Sequence, residues 1–400
     1  MSRTLVANLG GEFALAGVGL PRGVSERLAA AGSLLRVYAE RGDRLWLEAP
    51  LDAACQVAVP GLEAPGLTWG DGPSGEQLAW MSAPPLVAGL TAPAGSPSWS
   101  VAAPARARQW ISRRFGHGLG REGSWGVPGS VGVTDEGELD GAVDAIAPGE
   151  WVLKPAFSAA GRGQLRGAGA LDGPDRDRAL KLLQRDGWVE VQPWIERGHD
   201  VGWLGTVEPD ATVRELGAHG LEVDDRGGFR GVVVPAPGNG PPGVTPQHVA
   251  RLAEVGRAAG EALSKAGHRG PYGIDGAVAL DDSLCPMFEL NARLTFGHVA
   301  RSLVERVDHG WAGAVALRFG RGDGGRSGRE VDGKHALAGT RTADGQSQAD
   351  GQSAADGQSA ADGDGAAGLR PAADRLQLLA PDPSHAGGGT CAWLANEGAS

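Results

Sequence analysis

Residues 288–298 read FELNARLTFGH, and Glu289, Asn291 and Arg293 fall at alternate positions of that stretch. Side chains at i, i+2 and i+4 of a strand share one face. A carboxylate, an amide and a guanidinium therefore point together, while Phe288, Leu290 and Ala292 turn to the other side. The run PYGIDGAVAL (271–280) precedes them, and the polar DDS at 281–283 makes the two runs a hairpin. Centred on Asp282, the hairpin sets Asp275 opposite Glu289. Facing Cβ atoms in such a pair lie about 4.5–5.5 Å apart, and like charges there repel. A hard divalent cation removes the conflict: Mg²⁺ takes one or two carboxylates and fills its shell with phosphate oxygens and water. The alternative is a solvated strand face on which Arg293 pairs with Glu289.

Two further stretches carry related chemistry. Lys154, one of only four lysines, ends the apolar run EWVLKPAF and precedes SAAGRG (158–163). A lysine there reaches a phosphate, and a small-residue loop with Gly161 and Gly163 folds backbone N–H groups over it. This is not a Walker A loop, because no Gly-Lys-Ser/Thr follows. GRGQLRGAG also fails as a dinucleotide fingerprint. In VEVQPWIERGHDVGW (189–203), Pro193 interrupts a strand after Gln192 and leaves neighbouring backbone groups free to read an adenine edge. Asp200 opens the next strand, where a carboxylate accepts from ribose hydroxyls. An ordinary linker between subdomains is the plainer reading of this stretch.

The elements that must position these residues follow from periodicity. Residues 1–100 read as a small α/β unit, with strands TLVANL and RLWLEA around the helix VSERLAAAG. The Pro-, Gly- and Ser-rich stretch at 83–100 marks a boundary. A helix over 103–119 then leads into βα alternation as far as 195. Three long strand patterns, a helix over 245–267, the hairpin and a last helix over roughly 298–319 complete the pattern. Mixed βα units and antiparallel strands predict α+β subdomains rather than a doubly wound sheet. The domains are expected at 1–100, 101–192 and 193–322. The repeat ADGQSA within 343–366 has no large apolar residue, so 323–373 is expected to be a disordered insertion. Residues 374–400 are expected to return as a hairpin on the core.

Bulk properties narrow the class. A formal charge of −11 argues against nucleic-acid partners. Cys55, Cys285 and Cys391 lack metal-ligand spacing and form no disulfide framework, which fits a reducing cytoplasm. No run of 18 apolar residues exists and the N-terminus is not a signal peptide, so neither a membrane span nor export is expected.

The ordered motifs VLKP…SAAGRG, VQPWIERGHD and GID…FELNAR resemble the ATP-grasp superfamily over about 103–320. That resemblance implies ATP lying between two α+β subdomains behind an N-terminal substrate-side domain. It places Lys154 on the α/β-phosphates and the loop with Ser158, Gly161 and Gly163 over them. Gln192 and the backbone of Trp194 and Ile195 would hold adenine, and Asp200 the ribose. Asp275, Glu289 and Asn291 would hold Mg²⁺, with Mn²⁺ also admissible, and Arg293 would face the reacting anion. The family's earlier basic contact is usually Lys; here SRRF offers Arg113 or Arg114, and Arg114 is carried as the candidate. Gln192 stands where Glu is commoner. The family's Glu-His after the arginine is Gly297-His298 here, which turns the reading away from carboxylase chemistry and makes His298 a helix N-terminal residue. His219 and Arg230 are further substrate-site candidates. The implied activity is an ATP- and Mg²⁺-dependent ligase that activates a small carboxylate as an acyl phosphate for an amine or similar nucleophile. A small-molecule kinase and a non-catalytic ATP-binding protein are the alternatives.

Overall fold

The computed structural model describes residues 2–70, 73, 76–81, 104–158, 163–224, 228–307, 311, 313–321, 375–380 and 390–397. The expected linker at 83–100, most of the phosphate loop including Gly161, and the repeat insertion lie outside the described residues.

The first unit holds strands β1 (Arg3–Ala7), β2 (Arg44–Leu47), β3 (Gly66–Thr68) and β4 (Glu76–Ala79) with helices α1 (Gly11–Leu15) and α2 (Arg22–Gly32). All pairings are parallel, in the order β3-β2-β1-β4. The strand order reverses at β1, so a crevice opens beyond its carboxyl end, where α/β sheets receive ligands. Asn8 closes that end: its amide exchanges hydrogen bonds with the backbone of Met81, just after β4.

The second unit begins with α3 (Pro104–Ile111) and α4 (Arg113–Glu122), two helices where the sequence predicts one. Ser112 breaks the run by accepting the N–H of Arg114, a local N-cap that outcompetes continuation. Next come β5 (Val131–Val133), α5 (Glu136–Asp144), β6 (Glu150–Pro155), β7 (Leu165–Ala168), α6 (Gly173–Asp186) and β8 (Val189–Pro193). The strands form an antiparallel sheet, β5-β8-β6-β7, over a core that includes Leu139, Leu153, Leu183 and Val191.

The third unit contains β9 (Arg197–Val207), β10 (Val213–Val223), β11 (Phe229–Val234), α7 (Pro246–Lys265), β12 (Gly270–Ala279), β13 (Leu284–Asn291), α8 (Phe296–Arg306) and β14 (Ala314–Arg321). The final helix is therefore shorter than its sequence pattern predicts. AVALRFGR alternates with period two and pairs with β11 as a strand. Strands β15 (Arg375–Leu379) and β16 (Thr390–Glu397) extend the sheet, giving β13-β12-β9-β10-β11-β14-β16-β15. They also bind the first unit: Arg36 donates to the Leu378 carbonyl, and the Ala380 N–H to that of Cys55. The chain is thus a mixed α/β protein, a small parallel unit followed by two α+β subdomains.

Candidate functional site

The β12–β13 hairpin brings the two carboxylates together. Asp275 and Glu289 are register partners, but not through a regular ladder. Near the turn Val278 faces Leu284 and Ala277 faces Cys285. A bulge then sets Gly276 against Pro286–Phe288 before Asp275 meets Glu289. Pro286 has no N–H to give the ladder, which is where bulges form. Gly276 makes room, since a Cβ there would lie 2.5 Å from the Cys285 carbonyl oxygen and 2.7 Å from that of Pro286.

Around this pair lies a cavity of about 230 Å³. It brings together Lys154, Gln192, Trp194, Ile195 and Asp200 from the β6/β8 side and the start of β9. Asp275, Glu289, Asn291 and Arg293 join them from the hairpin. Asn291 donates to Asp275 at 2.8 Å. Glu289 accepts from Arg113 at 3.1 Å. Arg293 pairs not with Glu289 but with Glu12 at 2.8 Å, 281 positions away on α1. The face is therefore largely covered rather than freely solvated, with Asn291 buried and Asp275, Glu289 and Arg293 half-buried, and two subdomains and the N-terminal unit meet on it.

The ionisation of these groups follows from their surroundings. Burial pushes the Asp275 carboxyl up to about 7, with the Glu289 charge adding to the effect. Burial opposes ionisation of Glu289 as well, but Arg113, Lys154 and Arg293 hold it below the usual carboxylate range. Lys154 is 7% exposed, and burial beside Arg113 lowers its ammonium to about 8. Its Nζ lies 5.1 Å from the centroid of the Phe288 ring. A buried, weakly compensated ammonium is a preformed place for a phosphate.

The donor set fits a divalent cation. Two facing carboxylates and an amide supply hard oxygen ligands, and among the described residues Asn291 is the side chain that donates a hydrogen bond to Asp275. Among the described residues no three His, Cys, Asp or Glu side chains form a cluster. Two carboxylates and an amide match an ion that takes few protein ligands and shares the rest with phosphate and water. Gln192 fits an adenine edge, because its buried Oε1 has no donor among the described residues. Trp194 spends its N–H on the Glu150 carbonyl, leaving its own carbonyl and Ile195 for such an edge. Asp200 lines the cavity bound to Arg197 at 2.6 Å.

Other candidates fall elsewhere. Arg114 is exposed on α4, whereas Arg113 turns inward. The Arg113 N–H donates to Ala156, and its guanidinium to Pro155, Ser158 and Glu289. Ser158 is thus buried against Arg113, and Gly163 adopts a positive φ of 76°. Arg230 is exposed and pairs with Asp224. His219 lies in the cavity wall. His298 caps α8 with Thr295 and bonds the Gly205 carbonyl, as a helix N-terminal residue would.

Two side chains with no place in the sequence motifs join Arg113 at the site. Glu12 is one. Glu190, the register partner of Lys154, is the other and is bonded to His117 and Ser130. Glu190 and Glu12 were both discoverable as lone charges, the one inside the apolar VEV strand and the other the single charge between Arg3 and Arg22, but neither shows its partner in the sequence.

No protein-family model matches the chain, and no curated protein matches it in sequence. Solved structures do match. N5-carboxyaminoimidazole synthetase from Staphylococcus aureus, complexed with ADP, is 8% identical with a TM-score of 0.48, over 79% of this chain and 81% of that one. The biotin carboxylase domain of 2-oxoglutarate carboxylase from Hydrogenobacter thermophilus, with MgADP and bicarbonate, is 12% identical with a TM-score of 0.42. That match covers 55% of this chain, which spans about half of the carboxylase structure, 52%. Among the described residues no helix is long and apolar enough to cross a membrane.

Proposed function

We propose that this chain is an ATP-grasp ligase that activates a small carboxylate with Mg²⁺-ATP and passes the acyl group to an amine or similar nucleophile. The observation that carries the proposal is the single cavity holding facing Asp275 and Glu289, buried Lys154 and the unpartnered Gln192 acceptor. In this reading Gln192 and Ile195 take the adenine, Asp200 the ribose, and Lys154 with Arg113 the phosphates. Arg113 replaces Arg114 in that role because it alone points inward. Asp275, Glu289 and Asn291 would hold the cation, which supplies charge neutralisation along the phosphates when bound.

The chain's residues then act by position and charge. Arg293, fixed by Glu12, holds the substrate carboxylate. A carboxylate oxygen attacks the γ-phosphorus, the bond from that phosphorus to the β-bridging oxygen breaks, and ADP leaves with the electron pair. Lys154 and Arg113 stabilise the charge that gathers on the departing phosphates. The amine nitrogen next attacks the acyl carbon, the carbon–oxygen bond to phosphate breaks, and the released phosphate takes up the amine proton. No side-chain nucleophile is required.

Hydroxylamine tests this whatever the natural amine is, since it traps an acyl phosphate as a hydroxamate. Mg²⁺-dependent ADP release with hydroxamate formation across a pool of acids is the expected result. ADP release with a phosphorylated product and no hydroxamate identifies a kinase instead. No ADP release with any acid or alcohol refutes turnover.

A further inference from the structure

The cavity has two chemically different halves. One end carries every charged side chain among its described lining residues: Lys154, Arg197, Asp200, Asp275, Glu289 and Arg293. The other end is apolar. Leu9 and Trp80 reach it from just beyond the carboxyl ends of β1 and β4, and Leu28 comes from α2. Phe229 on β11 and Phe296 on α8 also line it, while Leu221 on β10 pairs across the sheet with Asp200 and borders the charged end. The aromatic rings are mutually packed: Trp80 lies 5.0 Å and Phe229 5.5 Å from Phe296, centroid to centroid. His219 and Thr295 are the polar side chains of this end among the described residues. Thr295 is committed to His298. His219 is 2% exposed and its buried Nδ1 has no partner among the described residues.

This apolar end belongs to the acceptor and not to the nucleotide. It is built jointly by the N-terminal unit and the far side of the large sheet, whereas the adenine and phosphate candidates come from β6, β8 and the β12–β13 hairpin. Arg293 stands where the halves meet, tied to the N-terminal unit through Glu12. A substrate held by its carboxylate at Arg293 must therefore lay the rest of its body against Trp80, Phe229 and Phe296. A second carboxylate or a phosphate on that body would meet no lysine or arginine among the described lining residues of that wall, and its desolvation would go poorly compensated.

Resting on the ligase reading, we infer that the acid activated here carries an apolar side chain, branched aliphatic or aromatic, laid against Leu9, Leu28 and the packed rings of Trp80, Phe229 and Phe296.

The test uses the full chain with Mg²⁺, ATP and hydroxylamine. The acids are leucine, phenylalanine and hexanoate, set against glycine, aspartate and 3-phosphoglycerate. One methylene in an apolar pocket changes kcat/KM by about 10–200-fold. Hydroxamate formation from the apolar acids should therefore exceed that from the polar ones by at least about tenfold. Leu28→Lys, a half-buried position on the N-terminal unit, should narrow that gap by a similar factor. Preference for aspartate or 3-phosphoglycerate overturns the inference and leaves the ligase reading standing. Equal use of all six acids, or a gap unmoved by Leu28→Lys, also overturns it. Absence of hydroxamate from every acid, with ATP binding intact by calorimetry, overturns the ligase reading and this inference with it.

Discussion

Replacing Lys154 by Met should make the protein more stable and a worse nucleotide binder at once. The side chain is 7% exposed, and burial lowers its ammonium from 10.5 to about 8. That displacement corresponds to about 3 kcal/mol against the charged form at neutral pH. Met keeps the volume, removes the charge, and gives up the approach to the Phe288 ring, worth about 0.5–1 kcal/mol. It also leaves Glu190 without its cross-strand cation, although His117 and Ser130 still bond that carboxylate. A net gain of about 1–2 kcal/mol at pH 7 remains. The sign with pH is fixed by linkage. The folded pKa lies below the unfolded one, so between about 8 and 10.5 the unfolded chain holds more protons and wild-type stability rises with pH through that window. The penalty is whole below about 8 and gone above 10.5, so the advantage of the variant should shrink between pH 7 and pH 10. Urea unfolding of both proteins at the two pH values, with ATP calorimetry at pH 7, measures it. A variant less stable than wild type at pH 7, or an advantage unchanged at pH 10, refutes the account of Lys154 as a strained, preformed phosphate site.

Glu12→Gln should cost about 3–5 kcal/mol in urea unfolding, because it leaves the Arg293 guanidinium buried without its counter-charge. Arg293→Met in the same background should recover part of that loss. Gly202→Ala should lower the melting temperature by several degrees, since its Cβ would fall 2.4 Å from the His219 ring and 2.9 Å from the Ile274 carbonyl. Truncation after residue 373 removes the Leu378 carbonyl, one of two that accept from Arg36, and the neighbour of β14, and should lower the melting temperature clearly. Deleting residues 340–368 alone should leave stability and ATP affinity nearly unchanged, as loop-closure entropy depends weakly on length. Equal melting temperatures for the truncated and full chains would remove β15 and β16 from the core.

The site was legible where chemistry was local in sequence. The alternation Glu289-Asn291-Arg293 and the turn at Asp282 place Asp275 opposite Glu289, and the structure pairs them, although by a bulge at Pro286 that the periodicity does not show. Lys154, Gln192 and Asp200 likewise follow from a strand end, a proline break and a strand start. What the sequence could not show is which charges neutralise one another across the fold. Arg293 meets Glu12 through tertiary packing alone. The choice between Arg113 and Arg114 turned on an N-cap at Ser112 that splits one predicted helix into two, with Arg113 buried and Arg114 exposed. The helix predicted to 319 failed because a short apolar run reads alike as a helix face or a buried strand. Pairing with β11 and β16 decides it.

The central claim is that Asp275, Glu289 and Asn291 hold a divalent cation together with ATP. Titrating Mn²⁺ by electron paramagnetic resonance, with and without a non-hydrolysable ATP analogue, addresses it directly. Asp275→Asn is the control, since it removes a ligand charge while Asn291 remains as a neighbour able to bond the new amide. The expected result is about one Mn²⁺ taken up per chain only when nucleotide is present, weakened at least tenfold in Asp275→Asn. Equal Mn²⁺ uptake by wild type and variant, or no uptake by wild type with nucleotide present, would contradict it.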